Sequence, residues 1–338
     1  MPKGNLRTRA LASFGLSLIA TVGTASAAPV TFVPHYRDGA TEGFNDPALG
    51  AQRKSAFTFA LGLWSQVLNT NYAGETININ ATFDDLGGNS TKATLGSAGP
   101  TFTNENFAST DPRFVSSTWY GDPLANHLAK KDLFASASPD DQEITAQFNS
   151  AVDGSVLGST NWYYGTNASP GGDIDFVSVV LHEIGHGLNF TDSISSSTGQ
   201  FGSSDGNPGI FDRFLENAGG TRLTALTPAQ RAAALTSGNV FWGGAQGIAG
   251  NGGIRPEMYA PNPYESGSSI SHLDETTFPN DLMSPMYSGP DHTISAMERG
   301  IFADMGWDVS PIPEPVSLAV AALGGVLLLG RRGRRDAA

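Results

Sequence analysis

Apolar and polar positions repeat along the chain with two periods, and each period predicts a kind of element. In residues 55–68 and 174–190 apolar side chains recur every three or four positions, which predicts amphipathic helices. Residues 77–83 and 144–148 instead alternate apolar with polar side chains, the period of a half-buried strand. The pattern therefore predicts a helix and two strands first, and then a second helix.

The chain after the second predicted helix is poor in periodic segments. Residues 191–271 are rich in Gly, Ser, Asn and Pro, which indicates loops. One short helix is predicted to begin there at Pro228, with Thr227 and Gln230 as a capping box and Gly238 as its end. The sequence thus predicts a regular first half and a loop-rich second half.

Both ends of the chain have the pattern of targeting segments. Residues 1–27 combine a basic start, a short apolar run and the small residues Ala25-Ser26-Ala27, which predicts a secretory signal peptide removed near Ala28. At the other end, Pro313-Glu314-Pro315 precedes an apolar segment, 316–330, and a cluster of arginines. This segment is shorter than the roughly 20 residues that span a bilayer comfortably.

The C-terminal arrangement, residues 312–338, resembles the PEP-CTERM sorting tail of Gram-negative bacteria that make extracellular polysaccharide. The resemblance implies recognition and processing by a membrane-bound exosortase, and transient anchoring in the inner membrane. It also implies a final place at the cell surface or in the extracellular matrix. A plain C-terminal membrane anchor is the alternative. In both cases the arginines stay cytoplasmic and the main domain, residues 28–311, lies outside.

Charge and composition narrow the range of partners. The full chain has a net charge of −13, and without residues 1–27 and 313–338 it keeps 12 basic and 30 acidic side chains, a net of −18. Such a surface repels phosphate backbones, so we expect no nucleic-acid partner. The absence of cysteine excludes disulfides, thiol catalysis and cysteine-ligated metal. Acidic loops at Asp84-Asp85 and Asp205 could bind Ca²⁺, although turn chemistry is the simpler explanation.

The candidate chemistry lies in the second predicted helix, which we expect to begin at Asp175. His182 and His186 are four residues apart and project side by side, so their imidazoles can hold one zinc ion. Glu183 points to the side of this pair, where it can take a proton from a zinc-bound water as the water attacks a carbonyl. A solvated helix face with two histidines is the alternative, and the apolar flank Val179-Val180-Leu181 argues against it.

A catalytic zinc site needs a third protein ligand, and three residues compete for that place. Asp192 follows His186 by six positions, Glu216 by thirty and His272 by eighty-six. Their spacing alone leaves all three open. The other histidines lack a partner at ligand spacing, and we expect surface or structural roles for them: His35, His127 and His292.

The sequence around His272 resembles the leishmanolysin branch of the metzincin zinc peptidases. The resemblance rests on Ser268-Ser269-Ile270-Ser271-His272-Leu273-Asp274, on Asn280-Asp281-Leu282-Met283-Ser284-Pro285 and on residues 294–307. That branch inserts a long segment, here 191–271, before the third histidine. The resemblance implies His272 as the third zinc ligand and Met283 as the methionine beneath the metal. It also implies a closing helix, 295–305, with Ser295 and Glu298 as its capping box.

The chain departs from the metzincin pattern at Asn189, where those enzymes have glycine. Asparagine is the next best residue for a left-handed backbone, so the required turn stays feasible. A second methionine, Met286, competes with Met283 for the place beneath the metal. Tyr287 could face the cleft and steady a tetrahedral intermediate, or simply pack.

The same resemblance implies a fold and an activity. We expect an α+β metzincin-like domain, with a mixed sheet and the zinc helix in an upper subdomain, 28–190, above a loop-rich lower subdomain, 191–311. An extended peptide would lie against a sheet edge, for which residues 77–83 are one candidate. The expected reaction is hydrolysis of internal peptide bonds with Glu183 as general base. The alternatives are a zinc hydrolase of non-peptide substrates and a surface or matrix binding protein.

Overall fold

The computed structural model describes residues 28–134 and 142–310, so the predicted signal peptide and sorting tail lie outside the described residues. The fold of the described part is mixed α+β. Its helices are α1 (Gly50–Val67), α2 (Asp122–Ala129), α3 (Phe176–Gly187), α4 (Pro228–Ala234), α5 (Ala245–Gly250) and α6 (Ala296–Met305). Its strands are β1 (Thr31–Tyr36), β2 (Thr76–Asp84), β3 (Gly96–Pro100), β4 (Thr103–Asn104), β5 (Tyr120–Gly121), β6 (Ile144–Asn149), β7 (Trp162–Tyr163), β8 (Ile174–Asp175), β9 (Leu215–Asn217), β10 (Val240–Trp242) and β11 (Glu257–Met258).

The main sheet has four strands in the order β1-β2-β6-β3. β1, β2 and β6 run parallel, and β3 pairs antiparallel with β6. The two strands predicted from alternation, β2 and β6, are both present. The expectation that residues 77–83 form an edge is wrong, because β2 lies between β1 and β6. Alternation reports that one face of a strand is buried, and it carries no information about neighbours on either side.

The first helix, α1, begins earlier than the apolar pattern predicts. Its first turns contain polar residues, and among them Arg53 is only 6% exposed. The Arg53 guanidinium donates hydrogen bonds to the backbone oxygen of Gly43 at 2.6 Å and to the Asp153 carboxylate at 2.9 Å. Tertiary partners therefore hold a polar helix start that periodicity cannot detect. Near the other end, the Trp64 indole donates to the Leu181 carbonyl at 3.1 Å, which ties α1 to α3.

The second predicted helix, α3, has the expected start and the expected inner face. Asp175 is its N-cap, and its carboxylate accepts a hydrogen bond from the Ser178 N–H at 2.8 Å. The four residues predicted to pack inward are all 0% exposed: Val177, Leu181, Ile184 and Leu188. The helix is shorter than predicted, because residues 174–175 pair with β7 as β8 and the helix ends at Gly187.

The second half of the chain has short elements joined by loops. α4 has the predicted capping box of Thr227 and Gln230, but its C-cap is Leu235, so Gly238 does not end it as expected. This half also contains a three-stranded sheet in the order β11-β10-β9. The closing helix, α6, has the predicted capping box of Ser295 and Glu298. Among the described residues, no helix combines the length and apolar character needed to cross a bilayer.

Candidate metal centre

The helix α3 presents two histidines, and the chain turns sharply just after it. Asn189 adopts a left-handed backbone with φ of 84°. This is the conformation expected there if the turn beneath the site forms with asparagine in place of glycine. The turn brings the carbonyl of Phe190 back toward the helix, where it accepts a hydrogen bond from Nδ1 of His186 at 2.7 Å. The turn at Asn189 therefore places a backbone carbonyl that orients the ring of His186.

The loop that follows β11 carries the third histidine. Ile270 also has a left-handed backbone, with φ of 71°, and is fully buried. Nδ1 of His272 donates to the Ser268 carbonyl at 2.7 Å, which fixes the ring within its own loop. The backbone on either side of this ring is pinned, because the His272 carbonyl accepts from Tyr259 and the Leu273 N–H donates to Met283.

The imidazoles of His182, His186 and His272 converge on one point. Their Nε2 atoms are 3.1, 3.1 and 3.2 Å apart. Nδ1 of His182 donates to the Leu282 carbonyl at 2.7 Å, so every ring has its Nδ1 on a backbone oxygen. Since a carbonyl only accepts, each Nδ1 carries a proton and each neutral ring turns a bare Nε2 lone pair to the centre.

Three bare lone pairs at this separation fit a metal ion. Tetrahedral nitrogen ligands at roughly 2.0 Å from zinc are about 3.3 Å from one another, close to the spacing found here. Among the described residues, these histidines are the one group of three or more histidine and carboxylate side chains close enough to share an ion. Backbone carbonyls that orient ligating imidazoles are the usual outer partners of such a centre.

Electrostatics keep the three rings neutral. Burial lowers the pKa of His182, and burial together with the neighbouring His182 ring lowers the pKa of His186 to about 3. Burial and both neighbouring rings hold the pKa of His272 well below its usual value. A neutral imidazole is the form that binds a metal, so the cluster is ready to bind without first losing protons.

Glu183 lies beside the cluster and against the edge strand β3. It is 6% exposed, and burial raises the pKa of its carboxyl to about 8, although the Ala98 N–H opposes that shift. A Cβ added at Gly96 would come within 2.8 Å of Glu183 Cγ, so the strand can approach this closely only because position 96 is glycine. The site therefore places a buried carboxyl group between the histidines and the sheet edge.

The rival candidates for third ligand are occupied elsewhere. The Asp192 carboxylate accepts from the Ile194 N–H at 2.8 Å and from the Ser271 hydroxyl at 3.0 Å. Glu216 pairs with two arginines, at 3.3 Å and 3.1 Å. Neither belongs to the group of side chains that could share an ion. Asp192 instead supports the loop of His272, through the residue that precedes the histidine.

The remaining candidate residues have partners of their own. Met283 is fully buried, and its Sδ lies 2.6 Å from where a Cβ on Gly185 of α3 would stand, whereas Met286 is 60% exposed. The Tyr287 hydroxyl accepts from the Asp175 N–H at 2.9 Å, at the start of α3. The other histidines bond to side chains outside the cluster, namely His35 to Asn78, His127 to Glu75 and His292 to Asp175.

The acidic residues that could bind Ca²⁺, for which turn chemistry is the simpler explanation, do not form a group of metal ligands in the described part of the chain. Asp205 accepts hydrogen bonds from the Trp119 indole at 3.0 Å and from the Asn207 N–H at 3.0 Å. Asp84 accepts from the side chains of Thr82 and Gln147. These carboxylates accept hydrogen bonds that stabilise loops and strand ends.

Sequence reasoning missed the backbone groups that orient the rings. The carbonyls of Phe190, Ser268 and Leu282 have no signature in the sequence, because every residue carries one. It also missed the contact between Glu298 and Met283, although the capping box that contains Glu298 was visible. Comparison with protein-family models finds no match for the chain, and a search of curated proteins finds none either.

Proposed function

We propose that this protein is an exported zinc-dependent endopeptidase. The observation that carries the proposal is the convergence of three unprotonated Nε2 atoms beside the buried carboxyl of Glu183, at the edge of a sheet. The two-histidine helix, the distant His272 and the buried Met283 support a metzincin-like peptidase related to the leishmanolysin branch.

The residues of the site divide the chemistry between them. His182, His186 and His272 would hold a zinc ion, which when bound would supply an acidified water and polarise a carbonyl group. Glu183 in its ionised form, which a cation held by the three histidines would favour, would take the proton of the attacking water and deliver it to the leaving amine. Its near-complete burial keeps bulk water from competing for that proton, and the Ala98 N–H holds its carboxylate in place.

The edge strand β3 supports a peptide substrate over a non-peptide one. The Leu95 carbonyl and the Thr101 N–H bond to the β6 side of the sheet at 3.0 and 2.9 Å. Because these groups alternate along a strand, the intervening backbone groups of Gly96 and Ala98 face outward, toward Glu183. An extended peptide can add to this edge by main-chain hydrogen bonds, which brings one of its carbonyls beside the histidines.

Export and sorting form part of the same proposal. The signal-peptide pattern of residues 1–27 and the PEP-CTERM-like pattern of residues 312–338 support a place at the cell surface or in the extracellular matrix of a Gram-negative bacterium. An exosortase-type enzyme is the proposed partner of the tail, and a protein or peptide is the proposed substrate of the site.

The test is metal content and casein cleavage by the purified full-length chain, wild type beside Glu183→Gln. We expect one zinc per chain in both proteins. Cleavage should fall by roughly 10²–10⁴-fold in the variant, the usual contribution of a general acid–base group. A wild type without zinc, or a variant that cleaves as fast as wild type, refutes the peptidase. Zinc without cleavage of any peptide would favour the non-peptide hydrolase or the binding protein.

The third ligand has a separate test with a matched control. His272→Ala removes one of three converging nitrogens and should release most of the zinc. Asp192→Ala removes a carboxylate that bonds to Ile194 and to Ser271 in the loop of His272 but lies outside the group that could share an ion, so this variant should retain the metal. The opposite result, zinc lost from Asp192→Ala and kept by His272→Ala, would transfer the ligand role to Asp192.

A further inference from the structure

Leu282 and Met283 form a turn, the hub, whose backbone bonds to the ring of His182 and to the residue after His272. The Leu282 carbonyl accepts the ring proton of His182 at 2.7 Å. The Met283 carbonyl accepts the N–H of Leu273, the residue after His272, at 2.9 Å. A displacement of this turn would therefore move His182 and His272 relative to each other.

One buried carboxylate holds this hub. Oε1 of Glu298 accepts the Met283 N–H at 2.9 Å, and Oε2 accepts the Ser295 N–H at 2.7 Å. Glu298 is 0% exposed, as is Met283. The carboxylate thus joins the start of α6 to the turn beneath the histidines.

Helix capping alone does not account for a carboxylate at this position. The capping box of α4 closes the start of its helix with a glutamine, Gln230, whose side-chain oxygen accepts the Thr227 N–H at 2.9 Å. A glutamine at 298 could cap α6 in the same way, but it would place an NH2 donor where the second carboxylate oxygen of Glu298 accepts the Met283 N–H. Burial also raises the pKa of Glu298 to about 7, a cost of ionisation that an amide would avoid.

We propose that Glu298 is a positioning residue for the metal centre: its carboxylate fixes the Leu282–Met283 turn, and through the two carbonyls of that turn it fixes His182 and His272. This inference rests on the metal centre of the proposed function. It does not depend on whether the substrate is a peptide, because the Glu298 carboxylate acts on the residues that would bind the metal. His186 lies outside its reach, since its Nδ1 bonds to Phe190 in the turn after its own helix.

The experiment is the zinc dissociation constant of the full-length chain, measured by competition with a chelating dye, for wild type and four variants. Glu298→Ala should bind zinc about 10–100-fold more weakly, the usual effect of losing an outer partner of a metal ligand. Glu298→Gln keeps the volume but offers one acceptor to two N–H groups, so its affinity should lie between those of wild type and Glu298→Ala.

Two controls separate positioning from helix capping. Ser295→Ala removes the hydroxyl that accepts the Glu298 N–H at 3.2 Å but leaves the backbone N–H groups of Met283 and Ser295 bonded to the Glu298 carboxylate. Gln230→Ala damages the capping box of α4, whose hydrogen bonds join Gln230 to Thr227 and do not involve Glu298, Leu282 or Met283. Both should lower the melting temperature and bind zinc as wild type does.

A second readout in the metal-free protein does not depend on affinity. In proton NMR spectra the hydrogen-bonded ring N–H signal of His182 should shift in Glu298→Ala, and that of His186 should stay.

Folded Glu298 variants that bind zinc as tightly as wild type overturn the inference, and so does an equal loss of zinc in Ser295→Ala. If Glu298→Ala does not fold, Glu298→Gln decides. A wild type without zinc overturns this inference together with the metal centre, whereas zinc binding without peptidase activity overturns the proposed function alone.

Discussion

Two glycines in helix interiors provide a test of how tightly the candidate metal centre is packed. Gly185, between the two histidines of α3, faces Met283 and Trp64. A Cβ at this position would lie 2.6 Å from Met283 Sδ, 3.1 Å from its Cε and 3.6 Å from the Trp64 ring. Gly62 of α1 is exposed, and a Cβ there would meet no atom within 4 Å. A glycine-to-alanine substitution therefore places a methyl group against packed side chains at position 185 and in open space at position 62.

The magnitudes decide the sign at each position. Alanine is more favourable than glycine in a helix interior by about 1 kcal/mol, so Gly62→Ala should stabilise the protein by about that amount. Gly185→Ala gains the same helix propensity but overpacks a core in which Met283 and Trp64 are both 0% exposed. Overpacking costs roughly 1–3 kcal/mol, so the variant should range from neutral to about 2 kcal/mol less stable.

The assay is urea unfolding of each variant in the presence of a chelator, so that metal binding does not add to stability. Met283→Ala removes Sδ and Cε, and in that background Gly185→Ala should stabilise again by about 1 kcal/mol. If both glycine substitutions stabilise the otherwise unchanged protein equally, α3 does not pack against Met283 as closely as the structure has it. A penalty at Gly185 that persists in the Met283→Ala background would also refute the reasoning, because the clash would have another source.

Two further predictions concern a half-buried ion pair and a left-handed residue. Hydrogen bonds from the Arg113 side chain hold the pKa of Asp111 well below its usual range, despite burial. Its contribution to stability is therefore present above about pH 4 and is lost as the pH falls further. Asp111→Asn should cost about 1–3 kcal/mol at pH 7 and less at pH 3, measured by urea unfolding at both pH values. At Asn189, where φ is 84° and Oδ1 is buried without a hydrogen-bond partner, alanine should destabilise by about 1–2 kcal/mol and glycine should not. Equal melting temperatures for Asn189→Ala and Asn189→Gly would contradict this.

The sequence by itself determined the local features of the chain. Asp175 is the N-cap of α3 because a short side-chain oxygen satisfies a free N–H at the helix start, and residue order alone reveals this. The capping boxes of α4 and α6 were predictable for the same reason. Four-residue spacing placed His182 and His186 side by side, since helix geometry is the same in any fold. The alternation of residues 77–83 likewise identified a strand.

Tertiary structure decided everything that depends on which segments meet. Spacing left Asp192, Glu216 and His272 open, and only the path of the loop after β11 brings His272 to the cluster. The position of residues 77–83 inside the sheet depends on β1 and β6, which alternation within one strand cannot report. The early start of α1 needed Arg53 to find partners far along the chain. The orientation of the three rings came from backbone carbonyls, which carry no side-chain identity for a sequence to show. Helix geometry is local and repeats in every fold, whereas a metal centre is built from contacts between distant segments, and only the packed chain specifies those.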